Sequence, residues 1–271
     1  MNTDNKTYSL GLALSGGGSK GFAHLGVIQA MEERGLRPDV ISGTSAGAFA
    51  GVLYADGNSP KEILTFFQNK VFREFAEFTI PKAGLFKNTR FNDFLKAHIK
   101  ARTFEELQIP LYVVATDIEQ GESRVFTSGP LIHTVIASCT VPIVFTPVQI
   151  EDRYYVDGGL FKNFPVSIIR KKCDKIIGVN VSPLTVSEYK NSIKYVAERS
   201  FHYMSTSNTL LDRNLCDYLI ESSQLSRYSM FDLDHVQEIY DLGYTMANEY
   251  FDKNEELLIK DLSITADYEG K

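Results

Sequence analysis

Residues 10–47, LGLALSGGGSKGFAHLGVIQAMEERGLRPDVISGTSAG, decide how this chain folds. They hold two glycine-rich turns, Gly16-Gly17-Gly18-Ser19-Lys20-Gly21 and Gly43-Thr44-Ser45-Ala46-Gly47. Leu10 to Leu14 reads as a short buried strand before the first turn. After it, Phe22, Leu25, Ile28 and Met31 recur at helical spacing, and Gly35 closes that helix in the usual C-terminal role. Asp39 to Ser42 is the next strand. Ala46 to Ala55 is a helix of small and apolar residues that ends near Gly57. The order β-α-β-α implies parallel strands with helices packed on the sheet.

Each turn brings chemistry to the end of a strand. The first offers bare backbone N–H groups at a helix start, where negative charge is favoured. The second has the G-x-S-x-G form, which exposes the Ser45 hydroxyl on a tight strand-to-helix turn. There Gly43 and Gly47 let strand and helix approach closely. An anion cradle beside a nucleophile is the minimum equipment for acyl transfer. Other readings stay open at this point. A small-residue turn also packs a helix on a sheet. Gly16-x-Gly18-x-x-Gly21 also spells the dinucleotide fingerprint, with Glu32 and Asp39 as ribose ligands. Lys20 is followed by Gly21, so the run is not a Walker loop. Lys20 either adds charge near the site or sits solvated at a helix start.

Further along, Ser59-Pro60-Lys61-Glu62 is a capping box with proline at the first helical position. An aromatic region from Phe66 to Phe94 follows, with Lys70, Arg73, Lys82 and Lys87 interleaved. It reads either as core or as a lid or patch for a lipid headgroup boundary. Thr103 to Glu106 starts a short helix, and Leu111 to Asp117 is a strand turned back into Ser123 to Phe126. Leu131 to Ser138 is helical. Val148 to Ile150 and Tyr154 to Val156 form a hairpin. Pro165 starts a helix ending in the solvated run Arg170-Lys171-Lys172, and Lys175 to Val181 is a buried strand. The remainder is mostly helical, with one strand near Met230.

A serine nucleophile needs a base. Asp157-Gly158-Gly159 is the better candidate, because it follows a strand and sits where the chain leaves a sheet. An ordinary Asp-Gly turn reads the same way. A free aspartate is a poor base at neutral pH, and burial beside an apolar pocket would raise its pKa toward usefulness. His24 reads as a packed helix residue. His202 or His235 could instead complete a triad in the chain order Ser, Asp, His.

Composition narrows the classes. The 271 residues suit one domain, and 44% hydrophobic content is enough for a sizeable core. A formal charge of −6, from 28 basic and 34 acidic residues, argues against nucleic acid. Cys139, Cys173 and Cys216 lie far apart, so neither a disulfide framework nor a zinc site is expected. The polar start, Met1 to Tyr8, lacks a secretory signal. A cytoplasmic setting is therefore expected, and Asn5-Lys6-Thr7 reads as a chance sequon. The charge-free run Val125 to Ile150 is broken by Pro130, Pro142 and Pro147 and is expected to be core.

Taken together, the Gly16–Gly21 turn, the Gly43–Gly47 turn and Asp157-Gly158-Gly159 resemble the patatin-like phospholipase signature. Leu14-Ser15, Gly26-Val27, Ala137-Ser138 and Pro142 agree with it, and the resemblance covers roughly Leu10 to Pro165. It implies a three-layer α/β/α sandwich with a mainly parallel central sheet, while length and pattern lead us to expect one domain over residues 1–271 with its core motifs in 10–165 and a helical part 183–271 whose role stays open. It implies a Ser–Asp dyad with Ser45 as nucleophile and Asp157 as base. The backbone N–H groups of Gly16, Gly17 and Gly18 would form the oxyanion hole. Lys20, Gly21, Gly43, Gly47, Gly158 and Gly159 support these motifs. The reaction implied is hydrolysis of fatty acyl esters of phospholipids, lysophospholipids or related lipids, with no metal or cofactor. Transient contact with the inner membrane face and a homodimer are compatible with it. The alternatives are a dinucleotide-binding module and a non-catalytic regulatory relative.

Overall fold

A computed structural model describes residues 8–68, 89–186 and 188–262. The Asn5 sequon lies outside these residues, as do Phe72, Phe75, Phe78, Phe86 and the four basic residues between Lys70 and Lys87. The described strands form one mixed sheet: β1 (Tyr8–Leu14), β2 (Val40–Thr44), β3 (Leu111–Asp117), β4 (Glu122–Phe126), β5 (Val148–Ile150), β6 (Arg153–Asp157), β7 (Cys173–Asn180) and β8 (Tyr218–Glu221). Five of them, in the order β3-β2-β1-β7-β8, are parallel. Of the remaining three, β4 and β6 pair antiparallel with β3, and β5 pairs antiparallel with β6.

The register around β3 positions everything that follows. Val113 and Val114 pair with β2 on one edge and with β4 on the other. Ala115 to Asp117 pair with β4 and β6. Because a strand has only two edges, β6 takes over from β2 on the same edge. Thr44 sits opposite Val114, and Asp157 sits opposite the next residue, Ala115. The parallel β2 and the antiparallel β6 therefore run into each other head-on. The residue after β2 is Ser45.

Helices cover both faces. The larger core holds α1 (Phe22–Glu33), α2 (Ala46–Ala55), α3 (Pro60–Gln68), α4 (Thr89–His98) and α5 (Leu131–Ser138) against Leu12, Leu14, Ile41 and Val113. The smaller core, on the opposite face, packs α6 (Val166–Arg170) and Phe164 against Ala13 and Ile176. The alternation Leu12, Ala13, Leu14 thus serves two cores, which is why β1 reads as an unbroken apolar run. Each large aliphatic side chain withdrawn from water here contributes about 1.5–3 kcal/mol. The three-layer α/β/α arrangement with a mostly parallel centre matches the expectation.

The C-terminal part begins with α7 (Ile193–Ser207) and α8 (Leu210–Arg213) and ends with α9 (Val236–Lys253) and α10 (Glu255–Leu262). It is less purely helical than expected. Its strand is β8 at Tyr218–Glu221, paired with β7. Met230 lies in a loop, where its carbonyl accepts the Ser19 N–H at 2.8 Å. Arg170 is less solvated than expected, since its Nη2 reaches the Cys173 and Asp174 carbonyls. The capping box forms as read, with Ser59 N–H donating to Glu62 at 2.8 Å. Cys139, Cys173 and Cys216 are free thiols. Among the described residues, no helix is long and apolar enough to cross a membrane.

Candidate active site

Ser45 occupies a sharp elbow between β2 and α2, with φ 52° and ψ −122°. This conformation is unfavourable for a side chain bearing a Cβ and persists only where the surroundings enforce it. They do so here. Ser45 N–H donates to Ser138 Oγ at 2.8 Å, and Ser138 Oγ donates to the Val114 carbonyl at 2.6 Å. The Ser45 carbonyl accepts the Phe49 N–H at 2.9 Å and the Cys139 thiol at 3.2 Å. A Cβ on Gly47 would sit 2.2 Å from the Leu14 carbonyl, so only glycine lets α2 leave the elbow at this angle. Gly43 is similarly enclosed, by the backbone of Gly47 and Ala48.

Ser45 Oγ donates to Asp157 Oδ2 at 2.6 Å. The other carboxylate oxygen accepts the Gly159 N–H at 2.7 Å, in the short 3-10 turn that Gly158 opens. Asp157 is fixed further by its own backbone: its N–H reaches the Thr140 carbonyl, and its carbonyl accepts Thr116 Oγ1. Asp157 is 1% exposed. Desolvation raises its pKa from 3.8 to about 6, against the opposing hydrogen bonds from Ser45 and Gly159. A carboxylate in this state is a much better proton acceptor than one in water.

The first glycine turn lines the same cavity beside this pair, a Cβ on Gly16 falling 3.2 Å from Ser45 Cβ. Its N–H groups are not equivalent. Gly16 N–H donates to the Asn163 carbonyl at 2.9 Å, so Gly16 is committed to structure and leaves the set of three donors expected for the oxyanion hole. No acceptor is assigned to the N–H of Gly17 or Gly18 among the described residues, and both line the cavity with Ser45. Gly18 has φ 62°, and a Cβ there would lie 2.2 Å from the Met230 carbonyl. Gly21 caps α1, close against Ala46.

The cavity measures about 790 Å³ and has two differently built sides. One is apolar, with Phe22, Phe49, Ile63, Phe67 and Phe91. The Phe49 and Phe91 rings stack at 4.8 Å. The described rings of the Phe66–Phe94 region are therefore core and cavity wall. The other side is polar, with Lys20, Ser182, Arg199 and His202. Lys20 is only 9% exposed and reaches Ser182 Oγ at 3.4 Å. Burial, and secondarily Arg199, lowers its pKa to about 8. Of its two sequence readings, the one near the site holds.

The hydroxyl of Ser45 is bonded to Asp157 and to no histidine among the described residues. His24 is fully buried, with Nε2 2.8 Å from the Ser15 carbonyl, and desolvation lowers its pKa to about 4. His202 lies on the polar wall beside Ser182, and burial, with Lys20 and Arg199, lowers its pKa to about 4. His235 pairs with Asp232 on the surface. Neither His202 nor His235 completes the triad that their order in the chain allowed. The proposed ribose ligands are also occupied: Asp39 Oδ2 accepts the Leu10 N–H at 2.9 Å, and Glu32 accepts the Tyr54 hydroxyl. Among the described residues, no group of three or more His, Cys, Asp or Glu could hold a metal ion.

Four contributors had no sequence signal of their own: Ser138 and Asn163 behind the elbow and the glycine turn, Ser182 beside Lys20, and Met230 clamping Ser19.

Residues 12–169 match the family model described as patatin-like phospholipase. A patatin-like phospholipase domain-containing protein of Caenorhabditis elegans is 31% identical over 172 residues, covering 60% of this chain and 13% of that protein. An uncharacterized NTE family protein of Mycobacterium tuberculosis is 32% identical over 219 residues, 74% of this chain and 60% of that protein. Lysophospholipase NTE1 of Mycosarcoma maydis is 34% identical over 169 residues, 59% of this chain and 9% of that protein. The chain thus spans less than two thirds of each of these relatives. Among solved structures, VipD from Legionella pneumophila aligns with a TM-score of 0.47 at 16% identity, covering 87% of this chain and 67% of VipD.

Proposed function

The chain belongs to the patatin-like phospholipase family, and on that premise we propose that it is a serine acyl hydrolase of lipid esters working through a Ser45–Asp157 dyad. The observation that carries the reading is the 2.6 Å hydrogen bond between Ser45 Oγ and the buried Asp157 carboxylate, at a strained elbow opening on a half-apolar cavity.

Asp157 takes the Ser45 proton as Oγ attacks the ester carbonyl, and a tetrahedral oxyanion forms. The N–H groups of Gly17 and Gly18 are the donors available to it. Losing one such donor costs on the order of 3 kcal/mol of barrier. The proton passes from Asp157 to the leaving alcohol, and the acyl group stays on Ser45. Asp157 then takes a proton from water, the hydroxyl attacks the acyl carbon, and the fatty acid leaves as Ser45 regains its proton. The acyl chain lies along the phenylalanine-lined side of the cavity. The polar side, with Lys20 and Ser182, receives the rest of the lipid.

The test is hydrolysis of a panel of phospholipids, lysophospholipids, acylglycerols and short-chain esters by wild type, Ser45→Ala and Asp157→Asn. The reading expects fatty acid release by wild type alone. Full activity in folded Ser45→Ala would reject it.

A further inference from the structure

Half of the exposed large apolar side chains among the described residues fall between Leu184 and Met204. The segment leading into α7 exposes Leu184 and Val186, the latter 99% exposed. Along α7 itself, Ile193, Val196, Ala197, Ser200, Met204 and Ser207 are exposed, and their spacing puts them on one side of the helix. Ile193 is 91% exposed. No charged residue lies on that stripe. A solvated helix normally turns its charged side chains outward, whereas Glu198 and Arg199 of this one line the cavity.

The opposite side of the same helix has a different character. Tyr195, Glu198, Arg199, His202 and Ser205 line the cavity that holds Ser45. Helix α7 is thus a single wall between the cavity and the outside, mainly polar on its inner side, where Phe201 also lines the cavity, and apolar outward. Whatever covers its outer face lies at the edge of the site. Exposed Lys190, just before the helix, also lines the cavity. Tyr189 and Tyr195 stand at the same end, their hydroxyls bonded to Asn191 and to the Glu188 carbonyl. Rings with a polar tip, beside a cation, suit the level where lipid phosphates meet acyl chains.

The geometry points to a bilayer surface as the occupant of this face: the outer stripe of α7 with Leu184 and Val186 docks the protein on lipid and brings the cavity edge to its substrate. The choice of occupant rests on the lipid-ester reading, whereas binding is measurable without turnover. A patch of this kind buries its apolar side chains at the boundary of headgroups and acyl chains. It is also distinct from the Phe66–Phe94 region, whose described rings face inward.

The chain contains no tryptophan, so a single introduced one reports its own surroundings. Ile193→Trp, in a Ser45→Ala background, should show blue-shifted emission on adding vesicles of equimolar phosphatidylcholine and phosphatidylglycerol. Leu257→Trp, an exposed position on α10, should not shift. The triple variant Ile193→Ser, Val196→Ser, Met204→Ser should lose vesicle partitioning by about tenfold or more. It should keep wild-type rates on a water-soluble short-chain ester, which reads the dyad independently. Absence of a shift at position 193, or unchanged partitioning of the triple variant, overturns the inference. So does a triple variant that merely converts a self-associated form to monomer while still binding vesicles, because a second copy then covers the face.

Discussion

Ser45 directly follows β2 and Asp157 ends β6, two strands that meet head-on along one edge of β3, so a hydroxyl and a carboxylate 112 positions apart share a 2.6 Å hydrogen bond. The contact depends on register. Moving β6 by one residue would carry Asp157 to the other face of the sheet. Burial in that position raises the carboxylate's pKa to about 6, which suits the base role proposed for it.

The first concerns pH. Asp157 accepts a proton only when ionised, and burial raises its pKa to about 6. With an uncharged short-chain ester, kcat/KM should be flat above that value. Below it, the rate should fall about tenfold per pH unit. A stopped pH profile of wild type measures this directly. A profile that stays flat down to pH 4.5 contradicts the assignment.

The same burial carries a stability cost. A carboxyl whose folded pKa lies above its unfolded value is protonated more readily in the folded state. Asp157 therefore costs stability above about pH 6, and the cost fades as pH falls from about 6 to 3.8. Asp157→Asn keeps an acceptor for Ser45 while removing the charge. At pH 7.5 it should lose activity with Tm unchanged or raised, the gain bounded at about 3 kcal/mol. Thermal melts at pH 7.5 and pH 4.5 check the sign, since the difference from wild type should shrink at the lower pH.

Gly18 is predicted to be the least replaceable residue of the first turn. It combines φ 62° with a Cβ position 2.2 Å from the Met230 carbonyl. Gly18→Ala must shift that loop and with it the N–H groups facing Ser45. A fall in kcat of about 100- to 1,000-fold is expected, the size seen for loss of an oxyanion donor. KM should change far less. Steady-state kinetics on a soluble ester separates the two.

Ser138 holds the elbow without facing the substrate. Removing its hydroxyl strands the buried Ser45 N–H and the Val114 carbonyl. Ser138→Ala should lower stability by about 1–3 kcal/mol. It should also lower kcat by relaxing the Ser45 backbone. Urea melts and kinetics on the same preparation test both effects, and a stable variant with full kcat would remove Ser138 from the account.

Much of this architecture was legible in the sequence because the first half builds its elements locally. The Ala46–Ala55 helix, the Leu111–Asp117 strand and the Leu131–Ser138 helix fall at the bounds their patterns gave. β8 escaped because four residues, Tyr218–Glu221, hold only two cycles of alternation, and their sequence Tyr-Leu-Ile-Glu shows three apolar residues in a row. The strand expected near Met230 failed for the converse reason. Its apolar residues serve a loop whose backbone clamps Ser19. The engagement of Gly16 was equally hidden, since its acceptor is the carbonyl of Asn163, far along the chain. Which amides of a glycine run stay available is decided by such distant partners, not by the run.

Activation of Ser45 as a nucleophile by Asp157 is open to test by reaction with a fluorophosphonate followed by intact-mass and peptide mass spectrometry. One adduct per chain is expected, on the peptide bearing Ser45. Labelling should be lost in Ser45→Ala and slowed at least 100-fold in Asp157→Asn. An unlabelled wild type, an adduct on another residue, or equal labelling of Asp157→Asn would contradict it.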